Sequence, residues 1–189
     1  MSEKALVLFE GRPADVAART PREREAYDFL DALGVTYARV DHAPAMTMAV
    51  CEEIDRALEA TICKNLFLTN RQGTAFYLLM MPGDKPFRTK HLSAALGTAR
   101  LSFGAPEKME QLLHTAPGSA SVLGVMHDTE NAVTLVIDSE VAQSAFVGCH
   151  PLVNTSSLRL KTADLFEKIL PATHHTPIVV ELPREEEVG

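Results

Sequence analysis

The amino-acid sequence predicts an α+β fold in which helices pack around a strongly curved, barrel-like mixed β-sheet. About seven segments show the alternation or short apolar runs typical of strands, and five or six show the apolar spacing typical of helices. The two kinds of segment do not alternate regularly, as they would in a parallel βαβ fold. With 189 residues, 46% of them hydrophobic, the chain is long enough to bury the core of one domain.

The individual elements follow from caps, turns and periodicity. Thr20 is a typical N-cap, Pro21 a typical first helical residue and Gly34 a typical helix end, so the first helix is predicted between them. The other helices are predicted to start at typical N-cap or first-turn residues, namely Thr47, Thr89, Pro106 and Thr162. Strands are predicted at residues 35–41, 61–69, 74–81, 100–103, 132–137, 145–148, 157–161 and 176–182.

These elements are predicted to form one domain at residues 20–183. Residues 1–19 are predicted to be an N-terminal extension, and residues 184–189 an acidic tail. No apolar run reaches the ~18 residues that a membrane-spanning helix needs, so no membrane segment is expected.

The cysteines indicate a reducing compartment. Cys51, Cys63 and Cys149 are an odd number without CxxC spacing, which argues against a disulfide framework and favours the cytoplasm. Adjacent Cys149 and His150 have poor spacing for zinc, so the cysteines are expected to be buried hydrophobic residues. No P-loop, GxGxxG, GxSxG or HExxH motif is present, and neither a metal nor a cofactor is expected.

Charge is unevenly distributed along the chain. The net charge is -7, yet residues 61–108 contain seven basic and two acidic residues. A basic segment of this kind can bind a phosphate backbone, although chance clustering of solvated charges is an equal alternative.

Lys64 is unusual because of its position in a predicted core strand. In residues 61–69 it shares one face with Ile62 and Leu66. Lysine is almost never fully buried without a partner, so Lys64 either extends to the protein surface or points into a polar cavity.

Three polar clusters follow or end predicted strands: Lys64-Asn65, residues 118–121 and residues 150–155. A curved sheet could bring these strand ends together around one pocket. Gly118 could let the backbone approach a ligand, and Ser119 could donate from its hydroxyl. His150 is held extended by the proline that follows it, although each cluster could equally be a structural turn or a hydrogen-bonded core histidine.

In this order, the clusters resemble the YbaK/ProX family of aminoacyl-tRNA editing domains, and most of all its free-standing alanyl-tRNA(Pro) deacylases. The specific matches are Lys-Asn-Leu-Phe-Leu at residues 64–68 and His-Pro-Leu-x-Asn-Thr at residues 150–155. Weaker matches include Asp-His-Ala-Pro-Ala-Met-Thr at residues 41–47 and Pro-Gly-Ser at residues 117–119. The resemblance extends from about residue 21 to residue 183.

The resemblance implies a YbaK-like domain that hydrolyses the ester joining a wrong amino acid to the tRNA 3′ adenosine. Lys64 would be the catalytic residue, anchoring the terminal nucleotide. The substrate-binding residues would be Asn65, Gly118, Ser119 and His150. The basic residues expected to bind the acceptor end of tRNA(Pro) are Arg88, Lys90 and Arg100. Prolyl-tRNA synthetase is a further expected partner.

Alternatives remain open at this stage. The family's Gly-x-x-x-Pro loop falls on Gly118–Val122, where valine replaces the proline and puts the stiffness of the loop in question. Cysteinyl-tRNA(Pro) is the nearest competing substrate. A non-catalytic module that binds tRNA or a synthetase, or a different hydrolase or small-molecule binder using the same pocket, would also fit.

Overall fold

The computed structural model describes residues 5–44, 47–60 and 62–184, with only the backbone of Met48. Ala45 and Met46 of the family match, Thr61 of the predicted strand and residues 185–189 of the predicted tail lie outside the described residues. The strands are β1 (Leu8–Glu10), β2 (Tyr37–Asp41), β3 (Cys63–Thr69), β4 (Phe76–Pro82), β5 (Ser102–Phe103), β6 (Val133–Asp138), β7 (Phe146–Cys149), β8 (Ser156–Lys161) and β9 (Ile178–Val180). The α-helices are α1 (Pro21–Ala32), α2 (Met48–Leu58), α3 (Thr89–Leu96), α4 (Pro106–Leu113), α5 (Ser139–Gln143), α6 (Thr162–Asp164) and α7 (Leu170–Ala172).

The strands form two sheets, whereas the sequence predicted one strongly curved sheet. The first is antiparallel, in the order β1-β2-β8-β7, and the second is mixed, in the order β5-β3-β4-β6-β9. They are joined at an isolated parallel bridge between Ile62 and Gly148. The α+β class is confirmed, but the single barrel-like sheet is wrong, because the side-chain pattern of a strand does not record which strand it pairs with.

Part of the predicted N-terminal extension joins the first sheet. β1 pairs with β2 from Leu8 opposite Val40 to Glu10 opposite Ala38. The backbone N–H of Gly11 then donates to the carbonyl oxygen of Tyr37 at 2.8 Å. The proposed boundaries at residues 19 and 183 stay predictions.

Helix starts mostly agree with their predicted caps. The hydroxyls of Thr20 and Thr47 each accept a hydrogen bond, at 3.3 Å, from the backbone N–H three residues later. Thr89 and Thr162 were expected to cap α3 and α6 but are the first residues of these helices, and Arg88 and Lys161 occupy the N-caps. The last helix is interrupted by a π-helical turn at Leu165–Ile169. None of the helices in the described ranges is long and apolar enough to cross a membrane.

β3 contributes to two separate apolar clusters. Its Phe67 packs in the larger cluster, whereas the adjacent Leu68 packs in a smaller one with α3. Successive side chains of a strand point to opposite faces.

A buried ion pair fixes the loop between β4 and α3. Lys85 is only 1% exposed and Asp138 is fully buried, and their Nζ and Oδ2 atoms lie 2.8 Å apart. Asp138 also accepts from the backbone N–H of Glu140, which caps α5. The Glu140 carboxylate lies 3.2 Å from the Lys85 ammonium. The loop is thus attached to β6 and α5 by charge.

Replacing Asp138→Asn should lower the free energy of unfolding by about 3 kcal/mol, because the Lys85 ammonium would stay buried without its main counter-charge. Asparagine keeps the helix cap, so the cap should not contribute to the loss. Urea unfolding of the wild type and the variant measures the difference. The double variant Lys85→Met, Asp138→Asn should recover most of the stability, and a single-variant loss below about 1 kcal/mol would contradict the importance of the pair.

Candidate active site

A cavity of about 360 Å³ lies where the two sheets meet. It is lined by β3, by the loops at Gly83 and Gly118, by one face of α2 and by the residue after β7. Four of the residues that the sequence singled out line this cavity: Lys64, Asn65, Gly118 and His150. Its volume lies within the range of about 300–1,000 Å³ that is typical of ligand sites.

The bridge between Ile62 and Gly148 explains why these residues meet. Ile62 immediately precedes β3, and Gly148 lies in β7, so the start of β3 is held beside the end of β7. The backbone N–H of Gly83 donates to the carbonyl oxygen of Ile62 at 3.1 Å. A Cβ atom at position 83 would lie 2.5 Å from that oxygen, so only glycine permits this approach.

Ser121 attaches the Gly118 loop to the cavity wall. Its buried hydroxyl donates to the carbonyl oxygen of His150 at 2.6 Å and accepts from the backbone N–H of Leu123 at 3.2 Å. Ser119 does not line the cavity. Its hydroxyl instead hydrogen-bonds the backbone of Ala116 within the loop.

Val122, in place of the proline that the family resemblance led us to expect, is fully buried. It begins a 3-10 helix at Val122–His127 and packs into the larger apolar cluster. The loop conformation is therefore held by the Ser121 cap and by the burial of Val122.

Lys64 is half-buried and hydrogen-bonded at the mouth of the cavity. Its ammonium donates to the carbonyl oxygen of Lys85, the residue fixed by Asp138. Burial lowers the pKa of Lys64, while the nearby carboxylate of Asp84 favours its charged form. The ammonium has three N–H groups, and no partner for the other two is present among the described residues.

Asn65 has an acceptor available for a ligand. Its amide NH₂ donates weakly to the carbonyl oxygen of Cys63 at 3.4 Å. Its Oδ1 is buried and has no hydrogen-bond partner among the described residues. Because a buried acceptor without a partner is costly, this atom is a natural place for a ligand donor.

His150 is held in one orientation by the backbone. Its Nδ1 lies 2.9 Å from the carbonyl oxygen of Ser156. A carbonyl can only accept, so Nδ1 carries the hydrogen, and Nε2 of the neutral ring keeps its lone pair. Burial lowers the pKa of His150 despite this hydrogen bond, which favours the neutral ring at pH 7.

A charged network fixes Ser156 in turn. The hydroxyl of Ser156 donates to Asp41 at 2.5 Å, and the guanidinium of Arg19 binds both oxygens of that carboxylate at 2.9 and 3.0 Å. Burial would raise the pKa of Asp41, but these hydrogen bonds, with one from Arg39, hold it well below its usual value.

Part of the cavity wall was missed from the sequence. Cys51, Ile54 and Asp55 lie on one face of α2, at the three- and four-residue spacings that a helix brings together. Asp55 accepts from the backbone N–H of Ile62 at 2.9 Å, and burial raises its pKa. This helical spacing was visible in the sequence and could have predicted a helix face over the pocket.

His42 also lines the cavity, although its only signal in the sequence was the family match. Its Nε2 lies 2.8 Å from the hydroxyl of Ser157 and its Nδ1 lies 2.7 Å from the carbonyl oxygen of Ala43. The His42 and His150 rings are 6.3 Å apart. With both ring nitrogens hydrogen-bonded, His42 forms part of the cavity wall.

The buried cysteines cannot act as nucleophiles at neutral pH. Burial raises the pKa of the Cys63 and Cys149 thiols to about 12, so both are protonated. Among the residues that the structure describes, no group of three or more His, Cys, Asp or Glu could hold a metal ion.

Arg88, Lys90 and Arg100 are exposed and lie outside the cavity. Arg88 and Lys90 are at the start of α3, and Arg100 precedes β5. The cavity therefore contains the central residues of the predicted site but not the expected tRNA contacts.

The pKa of His150 should lie below the usual histidine value of about 6.5, because burial penalises the charged ring. Its neutral form should be the tautomer with hydrogen on Nδ1. A ¹⁵N NMR titration of the imidazole, assigned with His150→Ala, measures both. A pKa above about 6.5 would contradict the dominant effect of burial, and hydrogen on Nε2 would contradict the hydrogen bond to Ser156.

Sequence comparison connects this geometry to known proteins. The family model of the aminoacyl-tRNA editing domain matches residues 42–168. The prolyl-tRNA editing protein ProX of Acetoanaerobium sticklandii is 32% identical over 153 residues, covering 81% of this chain and 93% of ProX. The prolyl-tRNA synthetase associated domain-containing protein 1 of Danio rerio is 28% identical over 159 residues, covering 83% of this chain and 85% of that protein.

The fold is also similar to solved structures. The crystal structure of a candidate trans-editing enzyme for prolyl tRNA synthetase superposes with a TM-score of 0.65 at 18% identity, covering 89% of this chain and 99% of that one. At this identity the similarity shows the fold alone. The shared fold and the family match agree on the kind of domain that contains the cavity. Because the family model matches most of the chain, the chain belongs to the aminoacyl-tRNA editing domain family.

Proposed function

We propose that this protein is a trans-editing enzyme that hydrolyses the ester of mischarged alanyl-tRNA(Pro). Membership of the editing-domain family supports an aminoacyl-tRNA deacylase, and the names of the relatives point to prolyl-tRNA and its synthetase. The observation that carries the proposal is the shared cavity lined by Lys64, Asn65, Gly118 and His150. Prolyl-tRNA synthetase is the proposed protein partner.

Lys64 would anchor the terminal nucleotide by charge. Its ammonium has one hydrogen bond to Lys85, which orients it and leaves two N–H groups for phosphate or ribose oxygens. Asp84 at the cavity rim favours the charged form that such an anchor requires.

Asn65 and Gly118 would hold the aminoacyl group. The Oδ1 of Asn65, buried without a partner among the described residues, would accept from the α-ammonium of alanine. Gly118 has φ +89° and is exposed at the cavity, so its backbone can approach the ester carbonyl. Ser119 would support this loop through its bonds to Ala116 and could contact the substrate only after a local change.

An aminoacyl ester is already reactive, so an oriented water can replace a protein nucleophile. This fits a site in which both buried cysteines are protonated and neutral His150 keeps a lone pair on Nε2. His150 would shape the pocket and orient the water or the 2′-hydroxyl.

A separate hydrolytic site has a physical reason. A synthetase pocket built for proline cannot strongly exclude the smaller alanine, since hydrophobic pockets discriminate only about 10–200-fold per methylene. A second site that admits alanine and excludes proline by size removes the error. Cysteinyl-tRNA(Pro) differs from the alanyl ester by one sulfur atom and is the competing substrate.

Lys64→Ala should slow deacylation of alanyl-tRNA(Pro) by roughly 10²–10³-fold, as expected when one oriented electrostatic interaction is removed. The assay should follow alanyl-, cysteinyl- and prolyl-tRNA(Pro) in parallel, with the alanyl ester hydrolysed fastest. Lys161→Ala, at an exposed lysine of β8, is the matched control and should leave the rate unchanged. A wild-type rate in Lys64→Ala would exclude the anchoring role, and faster loss of the cysteinyl ester would reassign the substrate.

The exposed cations Arg88, Lys90 and Arg100 should contribute to the salt dependence of tRNA binding. Replacing all three by glutamine should reduce the slope of log Kd against log salt by about 0.7–0.9 for each phosphate that the variant no longer neutralises. Lys161→Gln should leave the slope as in the wild type. An unchanged slope in the triple variant would place the tRNA on another surface.

A further inference from the structure

Phe103 is exposed to solvent, although folded domains normally bury phenylalanine side chains. It is 61% exposed, more than any other large hydrophobic side chain in the described part of the chain. It lies in β5, the short edge strand of the second sheet. The half-buried ring of Phe87 supports it edge-on, with centroids 6.0 Å apart and an interplanar angle of 65°.

Phe103 lies on the same sheet as Lys64, beside the far end of β3. Phe103 pairs with Leu68, which shares a face of β3 with Leu66 and Lys64. Leu68 lies four positions after Lys64, a distance of about 13 Å along the strand.

The loop that leads to Phe87 starts at the cavity itself. Gly83 and Asp84 line the cavity wall, and the next residue, Lys85, accepts the hydrogen bond of Lys64 through its carbonyl oxygen. Phe87 follows two positions later and packs in the same apolar cluster as Leu66. A single strand that leaves the cavity past Lys64 and follows this loop would meet the aromatic pair.

The chain segment that carries the pair is basic. Residues 85–106 contain four basic residues and no acidic one. Lys85 is buried against Asp138, but the other three, Arg88, Lys90 and Arg100, are exposed. The α3 helix begins at Thr89, so the positive end of its dipole adds to this charge. An exposed aromatic ring among cations is the usual platform for single-stranded nucleic acid.

We propose that Phe103, supported by Phe87, stacks on an unpaired base of the tRNA 3′ end, upstream of the adenosine that carries the ester. This inference rests on the proposed function. It concerns how the unpaired 3′ end of the tRNA is held outside the cavity. Stacking uses the face of a base, so the platform tolerates different bases. The neighbouring cations bind the phosphates of the same strand.

The test compares two substrates, alanyl-tRNA(Pro) and 3′-O-alanyl-adenosine, which lacks every upstream nucleotide. Phe103→Ala should raise KM for the tRNA by about 5- to 150-fold, the range expected when one base stack is removed. The kcat should stay close to that of the wild type, and hydrolysis of alanyl-adenosine should be unchanged. Phe103→Tyr should restore KM, whereas Phe103→Leu, which is apolar but cannot stack, should not.

Phe9→Ala is the matched control, since Phe9 is also an exposed phenylalanine but lies in β1 of the other sheet. It should leave both substrates unaffected. Equal KM in the wild type and Phe103→Ala, or full activity in Phe103→Leu, would overturn the platform. An equal loss of alanyl-adenosine hydrolysis in Phe103→Ala would also overturn the platform. That substrate has no upstream base, so the ring would then affect the cavity itself.

The Kd of uncharged tRNA(Pro) for the same variants keeps this test independent of hydrolysis. Phe103→Ala should weaken binding by a similar factor, and unchanged binding would contradict the platform even if the enzyme is active. If the wild type hydrolyses neither substrate while Phe103→Ala still weakens binding, the deacylase proposal fails and the platform stands. A variant that loses affinity for prolyl-tRNA synthetase but not for tRNA would show a protein contact and overturn the inference.

Discussion

The candidate site depends on the backbone bridge between Ile62 and Gly148, because it joins two sheets that each carry only part of the site. Lys64 and Asn65 belong to the mixed sheet, and His150 follows a strand of the antiparallel sheet. Ile62 is held on both sides, since its N–H donates to Asp55 and its carbonyl accepts from Gly83. The cavity is thus a consequence of where the sheets meet.

Two charged networks, one fully buried and one partly buried, then orient the site through backbone carbonyls. Lys85 and Asp138 fix the loop whose carbonyl accepts from Lys64. Arg19 and Asp41 fix Ser156, whose carbonyl accepts from His150. Burying such charges is costly unless each has a partner, and here each pair also sets the direction of a side chain at the cavity. The acceptor on Asn65 and the lone pair on His150 remain for a ligand.

Local features of the sequence predicted local structure well. The caps at Thr20 and Thr47, the β3–β4 hairpin and the four cavity residues were all visible in patterns a few residues long. Pairing between distant strands leaves no such pattern, so the two sheets were mistaken for one. Ser121 belongs to the polar cluster predicted at residues 118–121, yet it holds the loop, and its partner His150 is 29 positions away in the sequence. The burial of Lys85 likewise depends on Asp138, a residue far away in the sequence.

The central claim is that the cavity between the sheets binds the aminoacylated 3′ adenosine. A second cavity of about 370 Å³, lined in part by Glu25, Phe29 and His127, offers an internal comparison of nearly equal size. The direct measurement is an NMR titration with 3′-alanylamino-3′-deoxyadenosine, whose amide resists hydrolysis. Amide shift changes are expected at Lys64, Asn65 and the Gly118 loop, with little change around His127. Changes confined to the second cavity, or absent from both, would contradict it.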